Sequence, residues 1–241
     1  MATFVIAHGA WSGGWVWKRM RPLLQDKGHH QILTPTYTGL GERAHLSRPD
    51  IDLETHIADV LGVLTCEDLR NVILLGHSYG GMVATGAAER AAERIAKLIY
   101  LDAFVPRNGQ SLNDLRPGQP AHPAGAQGKD WLVQPNPLPP DTNASDAAWM
   151  TSHRLGHPRS CFEQRIKLAG AVEKLPRTYI ACTRVGPSDT FRPFAERARQ
   201  EGWPCLTIDS SHNPHVTAPG TLARMLHCIA TERWPHPVKA S

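Results

Sequence analysis

Six residues, Gly76-His77-Ser78-Tyr79-Gly80-Gly81, leave this chain few folds to choose from. An apolar run, Val72-Ile73-Leu74-Leu75, leads into them, and an Ala-rich segment of good helix formers, Met82 to Ala92, leads out. A buried strand, a tight turn and a helix therefore follow one another without a spacer. Side chains at Gly76 and Gly80 would collide with the flanking strand and helix, so both positions stay small. Ser78 is held on a strained turn with its hydroxyl clear of the sheet. The helix that begins beneath it aims free N–H groups and a partial positive charge at any anion formed beside the serine.

The rest of the chain repeats the strand-then-helix rhythm. Thr3 to Ala7 reads as a first strand, running into the glycine-rich loop His8-Gly9-Ala10-Trp11-Ser12-Gly13-Gly14-Trp15 and a helix from Trp17 to Lys27. Gln31 to Pro35 is a second strand, followed by the loop Thr38 to His45, in which Glu42 and Arg43 are expected to act as anchors. Leu53, Ile57, Val60, Leu61 and Leu64 recur at helical spacing behind an N-cap at Asp52. Lys97 to Phe104 is a near-continuous apolar run broken by Asp102, as a central parallel strand covered on both faces should be. Arg177 to Cys182 and Pro204 to Ile208 complete the strands; a helix from Phe191 to Glu201 lies between them, and a last helix starts at Pro219. About six strands alternating with helices predict an α/β fold with a doubly wound, mostly parallel sheet.

One stretch breaks the rhythm. Nine of the twenty prolines fall between Pro106 and Pro158, with no strand pattern and only short helical pieces near Ala144 to His153 and Cys161 to Leu168. Trp131, Trp149, Met150, Leu155 and Phe162 favour packing over disorder, so this stretch is expected to be a cap lined by apolar side chains. The expected organisation is a core of residues 1–107, a cap of residues 108–170 and a second core part of residues 171–241. Trp11, Phe104, Trp131 and Trp149 are the candidate substrate-binding side chains.

Ligands on such sheets bind outside the carboxyl ends of the strands, where Ser78, Asp102, Asp189 and His212 all fall. Serine is a weak nucleophile until a base takes its proton, imidazole can do this near neutral pH, and a carboxylate holds the ring in the required tautomer. His212 is preferred to His215 as the base because it comes first after the last strand. Asp102 and Asp189 are both placed to be the acid; Asp209 is too near His212 in sequence to turn back onto its ring. Two N–H donors are needed for the oxyanion, and the loop after the first strand and the residue after the serine nominate Ala10 and Tyr79. His8, with no acid or nucleophile near it in sequence, reads as a loop-packing residue.

These motifs together resemble the α/β-hydrolases, in particular small bacterial esterases related to plant hydroxynitrile lyases and methyl esterases. The resemblance rests on His8-Gly9-Ala10-Trp11, Gly39-Leu40-Gly41-Glu42-Arg43, the glycine-flanked serine, Tyr100 to Phe104, and His212 with Thr217-Ala218-Pro219. It implies Ser78 as nucleophile, His212 as base, and Ala10 and Tyr79 as oxyanion donors. Plant relatives place the acid after the strand equivalent to Arg177 to Cys182, which points to Asp189; bacterial relatives share Asp102, which is favoured. The implied activity is hydrolysis of carboxylic esters, or of carbamates or amides, with small apolar or aromatic substrates and no cofactor or metal. The alternative is a hydroxynitrile lyase, but cyanohydrin-cleaving relatives carry threonine at the position of Gly9 and lysine at that of Asn213.

The remaining sequence excludes other classes. Five cysteines without CxxC spacing suggest neither a disulfide framework nor a zinc site, and free, mostly buried thiols are expected. His122, His153 and His157 do not form a metal spacing. A net charge of +4 spread without a basic block gives no sign of nucleic-acid binding. No apolar run approaches a membrane span, and Met1 leads directly into the first strand, so no membrane partner and a cytoplasmic location are expected. The partner is a small molecule; a homodimer is compatible with the resemblance.

Overall fold

The computed structural model describes residues 1–116, 129–185 and 189–232. Its centre is a six-stranded sheet in the order β2-β1-β3-β4-β7-β8, formed by β1 (Thr3–Ala7), β2 (Gln31–Leu33), β3 (Val72–His77), β4 (Ile95–Leu101), β7 (Arg177–Cys182) and β8 (Cys205–Ile208). All five pairings between these strands are parallel.

Both faces of the sheet are covered, and the period-two alternation of a strand divides its side chains between them. Val5, Leu74, Leu98 and Tyr179 pack on one side with α2 (Leu53–Cys66), α3 (Gly80–Arg90) and α6 (Arg192–Gln200). Phe4, Ile6, Leu75, Ile99 and Ile180 pack on the other with α1 (Met20–Gly28) and α8 (Pro219–Ala230). Each fully buried aliphatic side chain of this kind contributes about 1.5 to 3 kcal/mol. The α2 helix starts where Asp52 accepts from the Thr55 amide, completing a capping box.

Strand order decides where a ligand can sit. The chain steps from β1 outward to β2 and then returns to place β3 on the opposite side of β1, so a crevice opens beyond the carboxyl ends of β1 and β3. The two strand ends nearly touch there. A Cβ on Gly80 would lie 2.0 Å from the Ala7 carbonyl oxygen, and one on Gly76 would lie 2.6 Å from that of Gly80. Only glycine lets α3 begin against the end of β1.

Between β4 and β7 lies an insertion holding a small antiparallel pair, β5 (Leu132–Val133) with β6 (His157–Pro158), and two helices, α4 (Ala144–His153) and α5 (Ser160–Glu163). The α5 helix is one turn, not the segment to Leu168 that the sequence suggests. Beyond it the Ile166 amide donates to the Gln110 carbonyl and the Gly109 amide to that of Ile166, and these bonds hold the chain extended. The first helix is also divided: a 3-10 turn over Gly14–Trp17 precedes α1, which starts at Met20 and not at Trp17. A single turn, α7 (Pro214–Thr217), precedes α8. His122 lies outside the described residues. Among the described residues no helix is long and apolar enough to cross a membrane. The five cysteines are all unbridged; Cys161 and Cys182 are buried and Cys66 is exposed.

Candidate active site

Three non-glycine residues at the strand ends share an unusual backbone. Trp11, Ser78 and Asp102 have φ of 59°, 56° and 42°, the left-handed region that costs a residue with a Cβ about 1 to 2 kcal/mol. Each follows a strand, β1, β3 and β4 in turn, and each is thereby turned out of the sheet toward the crevice.

At Asp102 the turn has a chemical result. The carboxylate is 1% exposed, and its Oδ1 accepts from the Cys182 amide at 3.1 Å while Oδ2 lies 2.7 Å from Nδ1 of His212. His212 is held at three points, two on its ring and one on its backbone. Phe191 stacks on it at 4.7 Å with an interplanar angle of 9°, the carboxylate fixes Nδ1, and Nε2 of His77 lies 2.8 Å from the His212 backbone carbonyl, to which it donates. With Nδ1–H given to Asp102, Nε2 of His212 is left as the basic atom.

Asp189, the alternate acid, is occupied elsewhere. Its Oδ1 accepts from the amides of Phe191 and Arg192 and so caps the start of α6. Asp209 forms an ion pair with Arg184. His215 stacks on Trp17 at 4.5 Å in the core, and burial lowers its pKa to about 3. Of the residues weighed from sequence, then, the structure joins Asp102 and His212 by a hydrogen bond, and Asp189, Asp209 and His215 make none with either, although His215 lines the same cavity.

Ser78 and His212 face a common cavity of about 460 Å³, within the range of small-molecule sites. No hydrogen bond joins them among the described residues. Ala10 and Tyr79 line the same cavity, and neither backbone N–H has a partner among the described residues. The Tyr79 side chain points away: His56 donates Nε2–H to the Thr38 carbonyl and accepts from the Tyr79 hydroxyl at Nδ1, 2.9 Å away. Burial raises the Tyr79 phenol well above its ordinary pKa and lowers His56 to about 4, so both stay neutral.

Trp11 and Phe104 lie in the cavity wall, but Trp131 and Trp149 do not. Trp149 turns to the outer side of α4, edge-on to Trp15 and beneath the Lys18 ammonium. Trp131 belongs to the β5 strand approach, where its carbonyl accepts from the Arg159 amide. The insertion instead presents Leu112, Leu138, Met150, Arg154 and Phe162. Of these, Arg154 carried no signal in the sequence, because an irregular segment has no periodicity from which to read a facing. Arg43 anchors its loop as expected, bonding the Thr36 carbonyl and Asp59 of α2 and not Glu42. His8 is fully buried, stacked on Tyr37, donating Nδ1–H to Gly9 and accepting from the Tyr37 amide.

Beside Tyr79, His56, His157 and Cys161 bring donor atoms within 4.8 Å of one another. This set does not suit a metal ion. Both His56 nitrogens are already hydrogen-bonded, Nδ1 of His157 accepts from the Trp11 amide, and burial pushes the Cys161 thiol up, away from the thiolate a metal requires.

Comparison with known proteins identifies the family of the fold. The chain is 40% identical over 95% of its length to the carbendazim hydrolyzing esterase of a Nocardioides species, covering all of that protein. It is 35% identical to salicylic acid-binding protein 2 of Nicotiana tabacum over 43% of this chain and 40% of the other. An extracellular alpha/beta-hydrolase from a Paenibacillus species superposes with a TM-score of 0.76 at 22% identity, over 94% of this chain and 98% of that one. The model of the alpha/beta hydrolase family matches residues 4–225, and the chain belongs to that family.

Proposed function

We propose that this protein is a serine hydrolase that cleaves carboxylic esters and carbamates of small apolar or aromatic substrates through an acyl-enzyme. The observation that carries the reading is the buried Asp102–His212 hydrogen bond beside a cavity that also holds a strained Ser78 and two unengaged amides. A full-length relative named as a carbendazim hydrolyzing esterase supports the substrate class.

On this reading Nε2 of His212 takes the Ser78 proton as Oγ attacks the carbonyl carbon, and the oxyanion is received by the N–H groups of Ala10 and Tyr79. The imidazolium, held by Asp102, returns the proton to the departing alcohol oxygen as the ester C–O bond breaks. Water then repeats the sequence and releases the acid. The Ser78–His212 hydrogen bond forms when substrate excludes water, as catalytic contacts that are long in the free enzyme commonly do. Each oxyanion donor supplies about 3 to 4 kcal/mol. The segment between β4 and β7 acts as a cap. A hydroxynitrile lyase on this scaffold is disfavoured by Gly9 and Asn213, which put neither a hydroxyl nor an ammonium group beside the serine.

Hydrolysis of p-nitrophenyl acetate by wild type and Ser78→Ala tests the mechanism. A burst of p-nitrophenol followed by steady turnover is expected for wild type, with loss of at least about a thousandfold in the variant. Equal turnover by the two proteins would remove the acyl-enzyme from consideration.

A further inference from the structure

The cavity contains charge for which ester hydrolysis itself has no use. Arg116 and Arg154 are in its wall, and among the described residues no aspartate or glutamate is. Arg154 follows α4 as its C-cap, is half-buried, and sits 5.5 Å over the ring of Trp11. One of its N–H groups donates to the Asn136 carbonyl at 2.7 Å. No carboxylate lies within ion-pair distance of it among the described residues, and residues 117–128, 186–188 and 233–241 contain no aspartate or glutamate that could supply one.

Other partly buried arginines of this protein are treated differently. Arg19 is paired with Asp146, Arg43 with Asp59 and Arg90 with Glu54. A guanidinium carries five N–H donors in a planar fork, and removing it from water without a counter-charge is costly. Burial alone draws the pKa of Arg154 below its ordinary value, with no acid to oppose it. The bond to Asn136 uses one donor, and a neutral side chain could have filled the space over Trp11 without the desolvation penalty. The unpaired cation points its remaining capacity at whatever enters the cavity.

We infer that Arg154, in the cavity wall over Trp11, forms an anion-accepting subsite that selects esters bearing a carboxylate at a distance from the scissile carbonyl. This rests on the hydrolase reading for its substrate but not for its binding chemistry. A carboxylate entering the cavity meets a fixed fork in a partly desolvated setting, where a bidentate pair is strongest. Because no acid lines the wall among the described residues, the field inside the cavity also favours anions before contact.

Two readouts test this. The first is kcat/KM for matched pairs in which a neutral group replaces the carboxylate: p-nitrophenyl hydrogen glutarate against p-nitrophenyl pentanoate, and 4-acetoxybenzoate against its methyl ester, with cleavage followed at the acetyl ester. In at least one pair wild type should favour the anion tenfold or more. That ratio should collapse toward one in Arg154→Met, mainly through KM, survive in part in Arg154→Lys, and decline as NaCl is raised. The second readout needs no turnover: calorimetric binding of benzoate and benzamide to Ser78→Ala, where benzoate should bind at least tenfold tighter and lose that margin in Ser78→Ala/Arg154→Met. Circular dichroism melting of each variant identifies any that fails to fold, and Arg154→Lys then carries the comparison. Ratios near one in both wild-type pairs, or ratios untouched in Arg154→Met and Arg154→Lys, would overturn the subsite and leave the hydrolase reading in place. Absence of ester turnover in wild type, with benzoate still preferred, would do the reverse.

Discussion

Nδ1 of His212 lies 2.7 Å from Oδ2 of Asp102 although the two residues are 110 positions apart and follow strands, β8 and β4, that are not neighbours in the sheet. The intervening strand closes the gap. Asp102 passes over the end of β7, where Cys182 donates to its other oxygen, so the strand that separates the pair also fixes the carboxylate. A buried carboxylate bonded at both oxygens holds one orientation of the imidazole, and Nε2 faces the cavity as a result.

This relationship ranks the two candidate acids. Asp102→Asn preserves the shape but replaces the acceptor that selects the tautomer, so kcat for p-nitrophenyl acetate should fall by about 10⁴. Asp189→Ala removes the cap of α6 and should cost about 1 kcal/mol of stability, read by urea titration, with kcat reduced less than tenfold. A reversed order of the two kcat losses would transfer the acid role to Asp189.

The buried histidines predict how stability follows pH. Burial holds His8 and His215 at about 3, His56 at about 4, and His77 well below its ordinary value, so the folded protein keeps all four neutral. The unfolded chain takes up their protons as pH falls through about 6.5, while in the folded protein His8 and His215 take them up only near 3 and His56 near 4, and His77 well below its ordinary value. Stability from these groups is therefore complete above pH 6.5 and is lost as pH falls below it. The slope is about 1.4 kcal/mol per pH unit for each histidine, or roughly 2 kcal/mol each by pH 5. Urea midpoints at pH 7.5, 6 and 5 should move steadily down; a constant midpoint across that range would mean that water reaches these rings.

A change toward the lyase pattern should fail on packing. A Cβ on Gly9 would lie 2.9 Å from Nδ1 of His77 and 3.3 Å from the Ser78 Cβ, and His77 is the residue that holds the His212 backbone. Gly9→Thr should lower Tm and ester turnover together, with no cleavage of mandelonitrile to benzaldehyde. Cyanohydrin cleavage by this single variant would show that the loop can yield where the packing says it cannot.

The site was unequally legible in the sequence. The serine turn could be read because its cause is local: Gly76, Ser78 and Gly80 lie within five residues, and steric contact between the end of one strand and the start of the next helix requires that spacing. Six alternating units and a doubly wound parallel sheet followed from apolar runs long enough to be buried on both faces. The choice between Asp102 and Asp189 could not be made that way, since both follow the carboxyl ends of neighbouring parallel strands and only the left-handed backbone at Asp102 and the helix-capping bonds of Asp189 separate them. The cavity wall was least legible of all. Trp131 and Trp149 had the composition of pocket residues, yet in a proline-rich insertion facing is set by contacts with distant elements, such as Trp15 against Trp149. Sequence alone thus determined the fold and the position of Ser78, because short-range sterics and apolar periodicity act within a few residues. Tertiary structure decided the acid, the wall and the placement of Arg154, because those depend on which side chains long-range packing brings within a few ångströms of one another.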